Sequence, residues 1–258
     1  MEKFTLITGA SSGLGKEFAL LYAKDNNNLI LVSNEDKIHE VKQEINSIYP
    51  NLKIESLIYD LSKQEEREKL FSYTNEKEYF INNLVNCAGF GEQKDFKDMD
   101  IDLQLKMVEV NSSAVLYFSR VYLDNMLKHD EGHIINVSSI AGFLPGPYMC
   151  TYHATKGFVL LLGEAISYEL KNTNVKCLTL CPGPFLSNFV SKAHNDWTFK
   201  KIKPVTAERV AIEAYKKSKK GKSLHIVGFN NRLTIFASKF APRSFVTKSS
   251  AKTIKKGV

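Results

Sequence analysis

Cysteine is scarce and scattered in this 258-residue sequence. Cys87, Cys150, Cys177 and Cys181 have neither CxxC spacing nor a histidine partner pattern, and there is no HExxH. That excludes the usual zinc-site signatures, and no metal is expected. The four read as reduced thiols of a cytosolic protein rather than as a disulfide framework. No apolar stretch approaches the roughly 18 residues that a membrane-spanning helix needs. The strand-like run Phe4-Thr5-Leu6-Ile7 begins almost at the first residue, so no secretory signal is expected ahead of it. Low-complexity tracts and internal repeats are also missing. Acid is absent from the end of the chain: Glu213 is the last, and seven basic residues follow from Arg232 onward. Those seven account for the whole net charge of +7, leaving the body neutral. A basic tail alone is a thin basis for nucleic-acid binding, and none is expected.

What is present is an alternation. Short β-branched or apolar runs occur at Phe4–Thr8, Leu29–Ser33, Lys53–Tyr59, Asn83–Cys87, His133–Ser139, Val175–Cys181 and Ser223–Val227. Between them lie helical patterns near 13–24, 35–48, 62–77, 98–128 (read as two helices), 152–171 and 206–220. Strand, helix, strand at this spacing predicts right-handed crossovers and an α/β fold, a doubly wound parallel sheet of about seven strands with helices on both faces. The expected organisation is one body over 1–230, with a lid near 187–203, and a basic apolar tail over 231–258.

In such a sheet, ligands bind beyond the carboxyl ends of the strands. The polar and glycine-rich motifs fall there. Thr8-Gly9-Ala10-Ser11-Ser12-Gly13-Leu14-Gly15 follows the first strand, Asp60-Leu61 the third, Asn86-Cys87-Ala88-Gly89 the fourth, Ser139 the fifth and Pro182-Gly183 the sixth. Glycines at 9, 13 and 15 permit a tight turn and close approach of backbone N–H groups to a pyrophosphate at a helix N-terminus. Lys16 is followed by Glu17, so the loop is not a Walker A motif. Tyr152 and Lys156 stand four apart on one helix face, where an ammonium can stabilise a phenolate. Tyr-x-x-x-Lys occurs four times, but only Tyr152 has a serine, Ser139, thirteen residues upstream. The other three tyrosines have Asp36, Asp60 and Ile202 at that offset.

Together, and in this order, these motifs resemble the short-chain dehydrogenase/reductase family over about residues 3–228. The resemblance implies a single Rossmann-type sheet and an NAD(P)-dependent oxidoreductase that interconverts alcohols with ketones or aldehydes. It implies Tyr152 as proton donor and acceptor, and Lys156 as holder of the nicotinamide ribose that also depresses the tyrosine pKa. Ser139 would hydrogen-bond the substrate oxygen, and Asn111 would position a water linking Lys156 to solvent. Gly9, Ser11, Ser12, Gly13, Leu14 and Gly15 would hold the dinucleotide. Asp60 and Leu61 would lie at the adenine, and Asn86, Ala88 and Gly89 at the adenosine ribose. Pro182, Gly183 and Ser187 would flank the nicotinamide. Two positions depart from the family: Cys87 stands where a second asparagine is usual, and Ser187 is the nearest equivalent of the usual threonine.

Cofactor choice turns on Leu31-Val32-Ser33-Asn34-Glu35-Asp36-Lys37 at the end of the second strand. Neither Ser33 nor Asn34 is acidic, the arginine of relatives with a similar run is lacking, and the expected cofactor is NADP, with NAD as the second choice. Phe90, Phe143, Leu144, Tyr148, Met149, Phe185, Phe189 and Trp197 predict an apolar and aromatic pocket for a small-molecule carbonyl or alcohol substrate. His153 is expected to pack or lie at the surface, because its side chain points about 100° away from that of Tyr152. By family resemblance the protein is expected to be a homodimer or homotetramer. The tail, with Pro242 breaking any long helix, is expected to be a short helix plus a basic extension able to touch an anionic membrane surface. The alternative reading is a non-catalytic cofactor-binding scaffold of the same fold.

Overall fold

The computed structural model describes residues 1–186 and 205–255. Seven strands, β1 (Glu2–Thr8), β2 (Asn28–Ser33), β3 (Ile54–Ile58), β4 (Tyr79–Asn86), β5 (Gly132–Val137), β6 (Val175–Cys181) and β9 (Leu224–Ile226), form one sheet in the order β3-β2-β1-β4-β5-β6-β9. Every neighbouring pair is parallel. A separate two-stranded piece pairs β7 (Phe185–Leu186) with β8 (Val205–Thr206). The chain winds outward from β1 to β3, then returns across β1 to build β4, β5, β6 and β9. The switch point lies between β1 and β4, where the two halves diverge and leave a crevice at the strands' carboxyl ends.

Strands buried on both faces need apolar residues at consecutive positions, and alternate residues then enter opposite cores. Ile7, Leu31, Val85 and Ile135 face one core, and Leu6, Ile30, Leu84 and Ile134 the other. The first core is covered by α1 (Gly13–Lys24), α2 (Ile38–Ile48) and α8 (Ala207–Lys219). Leu14, Phe18 and Tyr22 recur every fourth residue of α1 and are all buried. The second core is covered by α3 (Gln64–Glu76), α5 (Ala114–Val121) and α6 (Leu123–Lys128). Phe118 and Tyr122 fill its centre.

The stretch expected to hold two helices is more broken than its pattern suggests. After α4 (Ile101–Val108) a single π-helical turn, Glu109–Ser113, precedes α5. One residue too many for an α-turn is accommodated there, and such turns cluster at functional sites. The long helix α7 (Cys150–Glu169) begins two residues before Tyr152 and carries Lys156 one turn further on.

The end of the chain departs from expectation. It forms two helices, α9 (Phe229–Ser238) and α10 (Arg243–Lys255), in place of one short helix and an extension. Pro242 lies between the two helices, four residues beyond the end of the first, and its carbonyl accepts from the N–H groups of Phe245 and Val246 at the start of the second. Buried Ile235 and Ile254 anchor the pair, and Gln93 Nε2 donates to the Ile254 carbonyl at 3.0 Å. The Gln93 contact ties the second helix to a residue far away in the sequence.

Phe18 is completely buried between α1 and the sheet. Phe18→Ala should lower the unfolding free energy by about 3–5 kcal/mol, read as a lower urea midpoint at unchanged slope.

Candidate active site

The glycine loop works as a hinge of contacts between β1 and β4. Thr8 Oγ1 accepts from the N–H groups of Cys87 (3.0 Å) and Ala88 (3.1 Å), tying the two strand ends across the switch point. Gly9 follows at φ +69°, and a Cβ there would stand 2.8 Å from the Ala88 Cα. A Cβ on Gly15 would stand 2.2 Å from the Gly9 carbonyl oxygen. The loop is therefore folded onto itself and onto β4 as closely as bare backbone allows. Ser12 immediately precedes α1, so the first turn of that helix opens into the crevice with N–H groups that have no intrahelical partner. A cradle that side chains would fill, at the positive end of a helix, fits a pyrophosphate.

The crevice is a cavity of about 1210 Å³ running across the carboxyl edge of the sheet. That exceeds the roughly 300–1,000 Å³ of a site for one drug-sized ligand, leaving space for a dinucleotide and a second molecule. Gly9, Ser11, Ser12, Gly13, Leu14 and Gly15 line it, as do Ser33, Asn34, Asp60, Leu61, Ala88, Gly89, Ser139, Tyr152, Lys156, Pro182 and Gly183, all expected from sequence. Asn86 does not line it. Its amide instead donates to Asn136 Oδ1 (2.8 Å) and Ser119 Oγ (3.2 Å), joining β4 to β5 and α5. Ser187, Phe189, Trp197 and the expected lid lie outside the described residues.

Glu35 is the site residue that sequence reasoning passed over. Its Oε2 accepts from Ser11 Oγ at 3.0 Å, and its N–H donates to Ser33 Oγ at 3.2 Å. A carboxylate thus reaches the glycine loop from two residues beyond the end of β2, where only Ser33 and Asn34 were weighed. The signal was present as a carboxylate within the same Leu31–Lys37 run that sets cofactor choice. Asp60, expected at the adenine, lines the cavity while its carboxylate is held by Ser62 and by Lys106 (3.0 Å). Burial would raise the Asp60 pKa, but the Ser62 and Lys106 hydrogen bonds outweigh it and hold the group below its usual value.

At the other end, Ser139 caps the short 3₁₀ turn Ile140–Phe143, with its Oγ accepting from the Ala141 N–H at 3.1 Å. It also hydrogen-bonds Tyr152. Burial pushes the Tyr152 phenol up to about 12, with the Ser139 bond pulling against it. Lys156 Nζ sits 5.8 Å from the Tyr152 ring centroid and donates to the Val137 carbonyl at 2.9 Å. Burial pushes Lys156 down to about 8, opposed by the thiols of Cys87 and Cys181. Burial is the largest influence on both groups, and it favours the protonated phenol of Tyr152. That protonation state is the one required to donate to a carbonyl oxygen.

Asn111 is fully buried in the π-turn, behind the cavity surface. Its Oδ1 accepts from the Phe90 N–H at 3.0 Å, and its Nδ2 donates to the Phe90 carbonyl (2.8 Å) and Thr155 Oγ1 (3.1 Å). A Cβ on Gly89 would meet both Asn111 Oδ1, at 3.0 Å, and Lys156 Nζ, at 3.3 Å. Asn111 therefore fixes the wall against which Lys156 lies. Cys87 packs beside it with its thiol pushed up to about 12 by burial, a neutral apolar filler.

Of the expected pocket residues, Phe90, Leu144, Met149 and Phe185 line the cavity, whereas Phe143 and Tyr148 are not on its surface. Tyr148 has φ +69°, and Lys255 from α10 lies 5.7 Å above its ring. His153 does touch the cavity, with Nδ1 2.8 Å from the Leu144 carbonyl, and burial lowers its pKa, so it packs there uncharged. Residues of α9 and α10, among them Leu233, Thr234, Ala237, Phe245 and Val246, also line the cavity. Sequence reasoning had kept the tail out of the site. Among the described residues, no cluster of histidine, cysteine or acidic side chains could hold a metal.

The family model of the short chain dehydrogenases matches residues 3–197. An uncharacterized oxidoreductase of Staphylococcus saprophyticus is 31% identical over 215 residues, 83% of this chain and 91% of that protein. A solved 7β-hydroxysteroid dehydrogenase superimposes with a TM-score of 0.87 at 24% identity, covering 96% of each chain. A short-chain dehydrogenase from Sphingobium yanoikuyae in complex with NADPH gives 0.82 at 21% identity, covering 93% of each.

Lys156 titrates near 8 in the fold against an ordinary 10.5. The folded-state pKa is depressed, so carrying the charge into the fold costs stability below pH 8. That cost fades as pH rises from 8 to 10.5. Lys156→Met, which keeps the stem without the charge, should therefore be more stable than the parent at pH 7, by on the order of 3 kcal/mol at most. The advantage should shrink above pH 8, as read from urea midpoints across that range. A variant less stable than the parent at every pH would show that the Val137 hydrogen bond outweighs burial of the charge.

Proposed function

The chain belongs to the short-chain dehydrogenase family of oxidoreductases, and from that premise we propose that it reduces an apolar ketone or aldehyde, or oxidises the matching alcohol, with NADP(H) as preferred partner and NAD(H) as the alternative. The observation that carries this reading is the convergence of the Tyr152 and Ser139 hydroxyls and the Lys156 ammonium on one end of a cavity whose other end is the glycine cradle. The dinucleotide, when bound, supplies or takes the hydride.

Tyr152 donates its phenolic proton to the carbonyl oxygen as charge develops there, and recovers one in the reverse direction. Ser139 donates a second hydrogen bond to the same oxygen, in a site dry enough for the bond to be strong. Lys156 holds the nicotinamide ribose and supplies positive charge beside the phenolate left behind. Asn111, through Phe90 and Thr155, keeps Lys156 and the Gly89 wall in register and lies on the path for a water chain to solvent. Gly9 to Gly15 hold the pyrophosphate, and Ser33, Asn34, Asp60 and Leu61 surround the adenosine. Phe90, Leu144, Met149 and Phe185 favour an apolar substrate over a sugar or a charged acid.

NADP(H) is favoured by the hydroxyl of Ser33 and the amide of Asn34, neither of which repels a phosphate. Glu35 works against it, because its carboxylate lies at the same end of the cavity. Assembly as a homodimer or homotetramer in the cytoplasm completes the reading. Exposed Ile101 and Leu105 on α4, Leu116 on α5, and Phe158, Leu161 and Tyr168 on α7 offer apolar area for a second copy.

A panel of ketones, aldehydes and alcohols with NADPH and NADH, followed at the nicotinamide absorbance band, tests the activity. Dinucleotide binding without turnover of any compound would instead identify a non-catalytic scaffold. Tyr152→Phe should lower kcat by about 10²–10⁴ with dinucleotide Kd close to the parent, because it deletes a proton donor and leaves the ribose contacts alone. Retention of most of kcat would remove Tyr152 from the acid role. Glu35→Gln should shift the ratio of NADPH to NADH affinity roughly three- to tenfold toward NADPH. The check is fluorescence titration of both dinucleotides against both proteins; an unchanged ratio would place Glu35 away from the 2′-position.

A further inference from the structure

The helices α9 and α10 show two different faces. Thr234, Ala237, Ser238 and Ala241 line the active-site cavity, and Phe245 and Val246 continue that wall on α10. Arg232, Phe236 and Phe240, spaced by four, lie on a side of the segment that does not line the cavity, with Lys239 beside them. Phe236 is 60% exposed, Phe240 76% and Phe245 64%. Phe236 and Phe240 stack edge to face with ring centroids 5.1 Å apart. Only Ile235 of α9 and Ile254 of α10 are buried, so the pair shows most of its surface. Large aromatic rings left in water at this density mark a surface that meets something apolar.

Charge decides between the possible occupants. Between Phe229 and Lys255 there are six basic residues and no acid. A two-fold contact between copies of this face would set six cations against six, because such interfaces are self-complementary. An anionic lipid surface has the opposite sign and an apolar layer just beneath it. Phenylalanines flanked by lysine and arginine suit that boundary, with rings among the acyl chains and cations among the phosphates.

We propose that α9 and α10 dock on an anionic bilayer and form the portal through which a lipophilic ketone or aldehyde passes directly from the lipid into the cavity. This rests on the dehydrogenase reading for the identity of the ligand, but not for the docking itself. The same short helices are at once the membrane-facing surface and the inner wall, so a substrate dissolved in the bilayer has no aqueous gap to cross. No helix among the described residues is long and apolar enough to span the membrane, so the contact is peripheral.

The test uses the full chain, vesicles of phosphatidylcholine alone or mixed with phosphatidylglycerol, and two variants outside the catalytic machinery. Phe236→Glu/Phe240→Glu removes the apolar anchor, and Lys239→Glu/Arg243→Glu removes charge while leaving both rings. The parent should co-sediment with the anionic vesicles and release with salt. Each variant should bind at least tenfold more weakly. On a long-chain ketone carried in the anionic vesicles, each variant should lose kcat/KM by a similar factor. On a short water-soluble ketone all three proteins should be equal. Parent and both variants binding vesicles equally, or the parent not at all, would overturn the proposal. So would a fall in oligomeric state for the phenylalanine variant without lipid, measured by sedimentation velocity, which would assign the face to a second copy. Loss on both ketones alike would refute the portal. Vesicle binding with no turnover of either ketone by the parent would leave docking standing and reject the dehydrogenase reading, and with it the portal.

Discussion

Burying one ammonium shapes the active end of this protein. Lys156 is nearly sealed from solvent, and its ammonium donates to the Val137 carbonyl. A charge in that position is costly, which is why its pKa falls to about 8. The surroundings are arranged to limit the cost without removing the charge. Gly89 keeps a side chain away from Nζ, Asn111 braces the wall beside it, and the Cys87 and Cys181 thiols act against the fall. The same burial holds the proton on Tyr152. Stability and chemistry are opposed here, and the fold tolerates the opposition because the two apolar cores on either side of the sheet are extensive.

At the other end the governing constraint is backbone proximity rather than charge. Thr8, Gly9 and Gly15 bring the end of β1, the start of α1 and the end of β4 to a single point. The parallel sheet makes that point available, because its winding reverses between β1 and β4. The glycine loop and the Ser139, Tyr152 and Lys156 side chains therefore share one edge of the sheet.

Much of this was legible in the sequence. The seven parallel strands and the glycine loop follow from apolar runs and spacing, which report local constraints directly. The meeting of Ser139, Tyr152 and Lys156 at one cavity was legible because a helical spacing and a strand end bring them together. What escaped notice depended on contacts between residues far apart. Glu35 meets the glycine loop through Ser11, 24 positions away, a contact that appears only once the two are opposite each other. The second tail helix is tied through the Ile254 carbonyl to Gln93, 161 positions away. Asn86 looked like a ligand-facing residue, but its position in β4 turns it toward Asn136 and Ser119, where a buried amide finds partners.

The single π-turn at Glu109–Ser113 carries a consequence for how this segment tolerates change in length. Removing one residue there would restore an unbroken α-helical ladder, locally a gain in regularity. Each residue of an α-helix advances by about 100°, and the wider turn already absorbs one residue, so α4 and α5 would keep their faces and Phe118 and Tyr122 their core. What would be lost is the turn itself, and with it the position from which Asn111 meets Phe90 and Thr155. The irregular turn thus lets a buried amide be inserted between two helices without disturbing the packing of either.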